Sequence, residues 1–492
     1  MPVKSPRTTA DASRRESGDG AERTVTNLVS AWVVIIPWLI GARFWWVLVL
    51  GMLLGAVALI TALRSENNRR TLWRFPIFWL GLLFLIFVAC QAFNYWGTGA
   101  QRHSKDGPIN VWDVTLHDHV NWLPSGINAD FTQMGSALML IYWAGPWLLV
   151  CAWWAAVRKR RSGQRLCLIV FINGVVMALV VLLEHWHPPA KILGIYVDHS
   201  LDPDLFRQTT SNAGFSYHNH AAAFLYLSLG AGFAVVARLL GRAQSESRDN
   251  GLAWVAFLGC LVILSSFFVL GSRAGLVIAC ALFVLGFVVM LVSSLAGGGR
   301  APGLWVGSVV LVLALGGMVT YELQTGNSST LARWKYLNDH PEDVDVRQVL
   351  RMEAKKMMDP AHYWMGWGAG SFRYNLRGYL YADNLFQSSK AYGGTTIWTD
   401  YVHCDWIQIP LEYGVIGAGL VAAMLLYGYG SVLWYIRYLG SSGIMVLLAV
   451  SAMLAHALID FPFFNSAVFT LFAMLSASTL KTTLLSARRA AK

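Results

Sequence analysis

The chain has 492 residues, 56% hydrophobic and 13% charged, with a mean hydropathy of +0.48 and a formal charge of +11. A soluble domain carries about 25% charged residues, so the composition excludes an ordinary soluble globule and points to the membrane class. The basic balance raises nucleic-acid binding as a reading, but the placement of lysines and arginines around apolar runs accounts for it better, and no nucleic-acid partner is expected.

Met1 to Arg23 is rich in Ser, Arg, Asp, Glu and Gly and nearly free of large apolar residues. A disordered cytoplasmic tail over 1–25 is therefore expected. The segment does not lead into a short apolar region with a small-residue cleavage site, so no cleaved signal peptide is expected. A bilayer core takes about 20 apolar residues per helix, and twelve runs qualify: 28–42, 44–63, 77–94, 134–157, 166–184, 219–238, 252–270, 274–295, 303–321, 414–436, 443–460 and 463–480. The expected fold is thus an all-α integral membrane protein with about 12 transmembrane helices. Its domains read as helices 1–9 over 26–323, a large, partly helical outer-face (periplasmic) loop over 324–411 between helices 9 and 10, helices 10–12 over 412–480, and a tail over 481–492.

An even count puts both termini on one side. One set of connecting segments holds Arg64, Arg69, Arg70, Arg74, Arg158, Lys159, Arg160, Arg161, Arg165, Arg238, Arg242, Arg437 and Lys481, whereas the opposite short loops hold only Arg43, Arg102, Lys105, Lys191, Arg207 and Arg273. Positive residues stay in the cytoplasm, so both termini are expected there and the 324–411 loop outside a bacterial inner membrane.

Three outer segments are long enough to build something. The first, 95–133, carries His103, His117, Asp118 and His119; the second, 185–218, carries Arg207 and ends in Tyr217-His218, with Asn219-His220 opening the next helix. In the third, Val346, Val349, Leu350, Ala354, Met357 and Met358 recur at helical spacing and predict an amphipathic helix over 343–358. Arg347, Arg351 and Lys355 form one basic stripe on it; it fits either a helix lying on anionic headgroups or a grip on a phosphorylated lipid. Gly366-Trp367-Gly368-Ala369-Gly370 reads as a tight turn, because no strand–helix unit surrounds it to make a dinucleotide site. Of six cysteines only Cys404 falls in the polar loop, and all six read as small apolar residues.

An outer-face site normally lacks ATP and nucleotide-sugars, so a group-transfer enzyme there needs a donor already activated in the membrane, such as a lipid-linked diphosphate. Arginine suits the diphosphate by bidentate contacts, and histidine suits proton removal from an acceptor hydroxyl. Arg273, in Ser272-Arg273-Ala274-Gly275, lies at a helix junction where snorkelling to the interface is the plain alternative. His403, beside Asp405, reads equally as a polar interfacial residue. No His spacing supports a metal site, and no cofactor is expected.

Five stretches between about 205 and 475 together resemble the O-antigen ligase and polymerase superfamily. They are Gly214 to Leu225 (with His218, Asn219 and His220), Ser272 to Gly275, Gly366 to Phe372, His403 to Gly417 (with Asp405 and Glu412), and Asp460-Phe461-Pro462. The resemblance implies a glycosyltransferase independent of metal and ATP, moving a glycan from an undecaprenyl-diphosphate carrier to lipid A–core or, in polymerases, to another glycan acceptor. It implies that His403 activates the acceptor, that Arg273 and Arg207 bind the diphosphate, helped by Arg347 or Arg351, and that the partners are lipids of the membrane. Cys404 stands where the family has an asparagine after the histidine, which leaves Asp405 as the residue expected to orient the imidazole. A ligase-like activity is the leading expectation, a polymerase the alternative within the same chemistry, and a lipid-linked glycan transporter the alternative of another class.

Overall fold

The structure is a computed structural model that describes residues 9–104, 107–187, 191–193, 212–246, 251–296, 316, 346–376 and 399–491. Its main element is a bundle of helices: α1 (Thr9–Ile35), α2 (Trp45–Leu63), α3 (Glu66–Trp73), α4 (Pro76–Phe93), α5 (Ser136–Ala156), α6 (Arg160–Trp186), α7 (His218–Glu246), α8 (Gly251–Val269), α9 (Arg273–Ala296), α10 (Val346–Lys356), α11 (Asp405–Trp434), α12 (Gly440–His456) and α13 (Ser466–Ala490). Among the described residues nine of these are long and apolar enough to cross a bilayer, and α12 is a shorter apolar helix. The outer helices show apolar faces that water would not tolerate. On α2, Val47, Gly51, Gly55, Ala58 and Ala62 face the bundle, while Leu50, Leu53, Val57 and Ile60 are 46–62% exposed. An apolar stripe of that extent needs lipid around it. The chain is a mostly helical, multi-pass membrane protein.

The predicted span 303–321 lies outside the described residues, as do 324–345 and 377–398 of the large loop and most of 185–218. Three boundaries differ from the sequence reading. The tail expected to be disordered is helical from Thr9, because Val25, Val29 and Val33 bury one face of α1 and Glu22 accepts hydrogen bonds from the Lys159 amide (3.0 Å) and Ser162 Oγ (2.7 Å). The segment 95–133 is not a loop beside an all-α bundle but a three-stranded sheet, β2 (Gly107–Leu116), β1 (Tyr95–Ser104) and β3 (Gly126–Asn128) in that order, with β1 antiparallel to β2 and parallel to β3. Finally, α11 starts at Asp405, so Asp405 to Leu411 are helix and not loop.

The last difference organises the site's frame. Gly414 breaks α11 with φ 60° and ψ −172°, at the point where the predicted span 414–436 begins. The backbone groups that the break orphans find partners in the glycine run. The Trp367 amide donates to the Leu411 carbonyl (3.0 Å) and the Gly368 amide to the Glu412 carbonyl (2.9 Å), while the Val415 and Ile416 amides donate to the Tyr363 and Trp364 carbonyls. Gly366, Gly368 and Gly370 all have positive φ, as the predicted tight turn requires. A β-carbon on Gly366 would lie 2.4 Å from the Glu412 backbone, and one on Gly368 would lie 2.2 Å from Gly126 Cα in β3. The run is therefore a backbone wedge between the sheet and the broken helix. Gln91, fully buried at the end of α4, pins it by donating to the Met365 and Glu412 carbonyls and accepting from the Ala369 amide.

Candidate functional site

The end of the bundle that carries the sheet also gathers the polar residues of four chain segments around one carboxylate. Asp460 sits in the turn between α12 and α13, with its side chain 2% exposed. Its oxygens accept from the Phe461 amide (2.9 Å), the Tyr217 hydroxyl (3.1 Å) and Asn219 Nδ2. An Arg347 guanidinium nitrogen faces it at 3.7 Å and the His403 imidazole Nδ1 at 3.4 Å. Burial alone would raise this carboxyl, but His403 and Arg347 outweigh it and hold Asp460 well below the usual carboxylate range. Asp460 is thus a fixed negative charge. Around it Tyr217 is pushed up, first by burial and then by the neighbouring Asp460 charge, so its hydroxyl stays a donor.

Each contributor arrives on a defined element. Tyr217 and Asn219 come from the first turn of α7. Asn219 also donates to Tyr217 Oη (2.8 Å) and accepts from Ser272 Oγ (2.6 Å), which caps α9 by taking the Gly275 amide. Arg273, the first residue of α9 and half-buried, is therefore tied to the site through its neighbour Ser272. Arg347 lies at the start of α10, whose observed extent matches the predicted amphipathic helix, and it donates to Tyr217 Oη (3.0 Å). Val349, Leu350, Ala354 and Met357 bury the opposite face, so the basic stripe ends in an ion pair at its first member, with Arg351 one turn further along and close enough to act on Cys404. An aromatic cage completes the wall. Phe461 stacks on Tyr217 (5.2 Å) and Tyr401 (4.3 Å), and the His403 and His220 rings meet it edge-on at 4.6 and 4.8 Å.

His403 has φ 56°, the left-handed region that a residue with a β-carbon adopts only when its surroundings enforce it. That turn lifts its ring out of the path of α11 and over Asp460. His403 Nδ1 lies 3.4 Å from Asp460 Oδ1, so Nε2 is the ring nitrogen that is not against the carboxylate.

Several expected residues have other tasks. Asp405 does not orient the imidazole. Its buried carboxylate accepts from the Phe463 amide (2.9 Å), and its own amide donates to the Ala457 and Asp460 carbonyls, so it fixes the turn that presents Asp460. Glu412 lies fully buried under the glycine run, accepting from the Gly370 amide (2.9 Å) and Gln408 Nε2 (3.1 Å). His220 Nε2 can donate to the Phe461 carbonyl (3.3 Å), and His218 is a half-buried neighbour of Tyr217. Cys404 packs with Leu350, Ala354, Phe372 and Leu411 in the apolar cluster that glues α10 to α11, where burial pushes its thiol up. Arg207 lies outside the described residues. Among the described residues no three His, Cys, Asp or Glu side chains converge as a metal site would need.

The hub itself was read from the sequence only as a turn. The signal available for Asp460 was its place in Asp460-Phe461-Pro462, an acid at the end of an apolar run. Arg373, 8% exposed, pairs with Asp400 at 3.3 Å and lies over the Trp112 ring; nothing in its sequence context marked it.

Spans and site define a multi-pass membrane protein with a buried polar cluster around Asp460 at one end of its bundle. Compared with known proteins, the sequence matches no family model and no curated protein.

Proposed function

We propose that the protein is a bacterial inner-membrane glycosyltransferase of the O-antigen ligase type, which transfers a glycan from an undecaprenyl-diphosphate carrier to a hydroxyl of lipid A–core at the periplasmic face. The observation that carries this reading is the meeting of His403, Arg347, Tyr217 and Asn219 on Asp460. Four of the five stretches on which the resemblance rests supply that cluster or, with Ser272, bond to it, and the fifth, the glycine run, builds its frame.

His403 Nε2 takes the acceptor's proton as the hydroxyl oxygen attacks the anomeric carbon. The bond from that carbon to the diphosphate oxygen breaks, its electron pair leaves with the carrier, and the configuration inverts. Arg273, Arg347 and Arg351 stabilise the charge growing on the leaving diphosphate, while Asp460 stabilises the imidazolium. A second feature supports a lipid-borne donor. An apolar cavity of about 180 Å³ runs between α4, α5, α11, α12 and α13, from Ile409 and Phe463 beside the site to Gly428 and Leu480 towards the far end. On the unbroken α13 the lining runs from Phe469 to Leu480, about 16 Å at 1.5 Å per residue, roughly half the hydrocarbon thickness of a bilayer, which suits part of a lipid chain.

The test is transfer by purified protein supplied with undecaprenyl-diphosphate-linked glycan, with and without lipid A–core, in EDTA and without ATP. Product that requires lipid A–core supports the ligase reading. Lengthening of the glycan on its carrier assigns the same chemistry to a polymerase. Absence of both, with carrier lipid moved across vesicles by the same preparation, replaces the enzyme with a transporter.

A further inference from the structure

At the other end of the bundle, four helices enclose a second and quite different pocket. It has a volume of about 70 Å³ and is lined by the start of α6 (Arg160, Gln164), the last turns of α7 (Arg238), the start of α12 (Ser442) and the last turns of α13 (Ser478, Ser486). Nineteen residues of α7 separate Asn219 from Arg238, about 29 Å of rise, so the pocket lies about a membrane's thickness from the site described above. Among the described residues no acidic side chain lines it.

Its polar groups are donors looking for an acceptor. Arg238 Nε is buried without a hydrogen-bond partner among the described residues, a condition that costs free energy unless a ligand relieves it. The ionised side chains close enough to act on Arg238 are Arg161 and Arg242, both cations. Among the described residues, Asp19 pairs with Lys159 at 2.7 Å, and Glu22 accepts from the Lys159 amide and Ser162 Oγ. Thr482 and Ser486 spend their hydroxyl protons on helix carbonyls. Arg160, Gln164, Arg238, Ser442 and Ser478 are left to serve the cavity.

We propose that this pocket binds a phosphate group. Two guanidinium forks with hydroxyl and amide donors between them match a tetrahedral anion with several oxygens, and match a carboxylate or chloride less well. Its position between helices at headgroup depth, inside a field of arginines, is where an anionic phospholipid presents its phosphate; a soluble phosphate could reach the same donors. The site needs no part of the glycan-transfer reading, and transfer activity is not its readout.

The experiment is calorimetric titration of delipidated protein in neutral detergent with three probes: inorganic phosphate, phosphatidylglycerol, and a diacylglycerol of the same acyl chains. Saturable binding of phosphatidylglycerol but not of inorganic phosphate or diacylglycerol identifies a lipid headgroup, and binding of inorganic phosphate identifies a soluble source. In either case Arg238→Gln should weaken the bound probe about tenfold or more, the loss expected for one charge-assisted contact. Arg160→Gln, at an exposed helix start, should weaken it similarly and carries the test alone if Arg238→Gln does not fold. The proposal is overturned if neither phosphate probe binds, if diacylglycerol binds as well as phosphatidylglycerol, or if the Arg160→Gln protein binds as the wild type does.

Discussion

At the scale of single residues the site is a charge balance, and the balance makes separable predictions for His403 and Asp460. The left-handed backbone at His403 costs a residue with a β-carbon about 1–2 kcal/mol, and asparagine tolerates it better than alanine. His403→Asn therefore keeps the turn and removes the base. It should melt within about 1 kcal/mol of the wild type while losing transfer by about 10²–10⁴-fold, the usual worth of a general base; a variant with wild-type turnover in the same assay would end the base assignment. Asp460→Asn removes the buried negative partner of the Arg347 guanidinium and of the His403 ring. Breaking such a pair from one side costs about 3 kcal/mol, read as a lowered melting temperature at neutral pH. The sign of its pH dependence follows from the direction of the shift. The folded carboxyl sits below its unfolded value, so its contribution is full above about pH 4 and fades as pH falls further towards the depressed value. The melting-temperature gap between wild type and Asp460→Asn should close as pH falls below about 4.

At the scale of elements, the glycine run and α11 act as one device, because the break at Gly414 and the wedge of residues 366–370 satisfy each other's backbone groups. Gly368→Ala needs both a β-carbon at φ 100° and room beside Gly126 Cα, which lies 2.2 Å from where that atom would be. A cost of about 3 kcal/mol or more is expected from strain and overpacking together, visible as a lowered melting temperature. Gly430→Ala, further along the same α11 with nothing within 4 Å of its β-carbon, should instead be neutral or raise it by up to about 1 kcal/mol. Such devices mark where sequence reading succeeds and fails. Nine of the twelve expected spans were legible because lipid demands long apolar runs, whereas 28–42 is divided between the end of α1 and two short 3-10 turns and 443–460 forms the shorter α12; α10 was legible because Val349, Leu350, Ala354 and Met357 repeat with the helix period. His403 and Asn219 were legible as polar groups at the ends of such runs. Asp460 as hub was not, since it meets Tyr217 and Asn219 from more than 240 residues away and locally looks like a turn. Nor was the sheet: the register of β1 on β2 and β3 is set by long-range pairing that a short polar stretch does not announce. Asp405 was legible as an important acid but assigned the wrong neighbour, because adjacency in sequence to His403 says nothing about which face of the helix start its carboxylate takes.

At the scale of the molecule, the two ends of the bundle differ in character, and the difference makes a prediction about orientation. The end away from Asp460 gathers Arg158, which donates to Asn68 at 2.6 Å, Lys159, Arg160, Arg161, Arg238 and Arg242, together with the buried Lys481, whose ammonium donates to the Trp154 carbonyl at 2.6 Å. The site end carries the sheet, Asp460 and the aromatic cage. Positively charged connections remain on the cytoplasmic side during insertion, so the arginine-rich end should face the cytoplasm and the site should face outward. Single cysteines read this directly in a background with the six natural cysteines replaced by alanine. Trp122→Cys, exposed beside the sheet, should react with a membrane-impermeant thiol reagent in intact cells. Arg70→Cys, exposed on α3 at the other end, should react only after the membrane is opened. The reverse pattern would place the site among ATP and nucleotide-sugars, and would remove the physical reason for a donor that carries its own activation in the lipid.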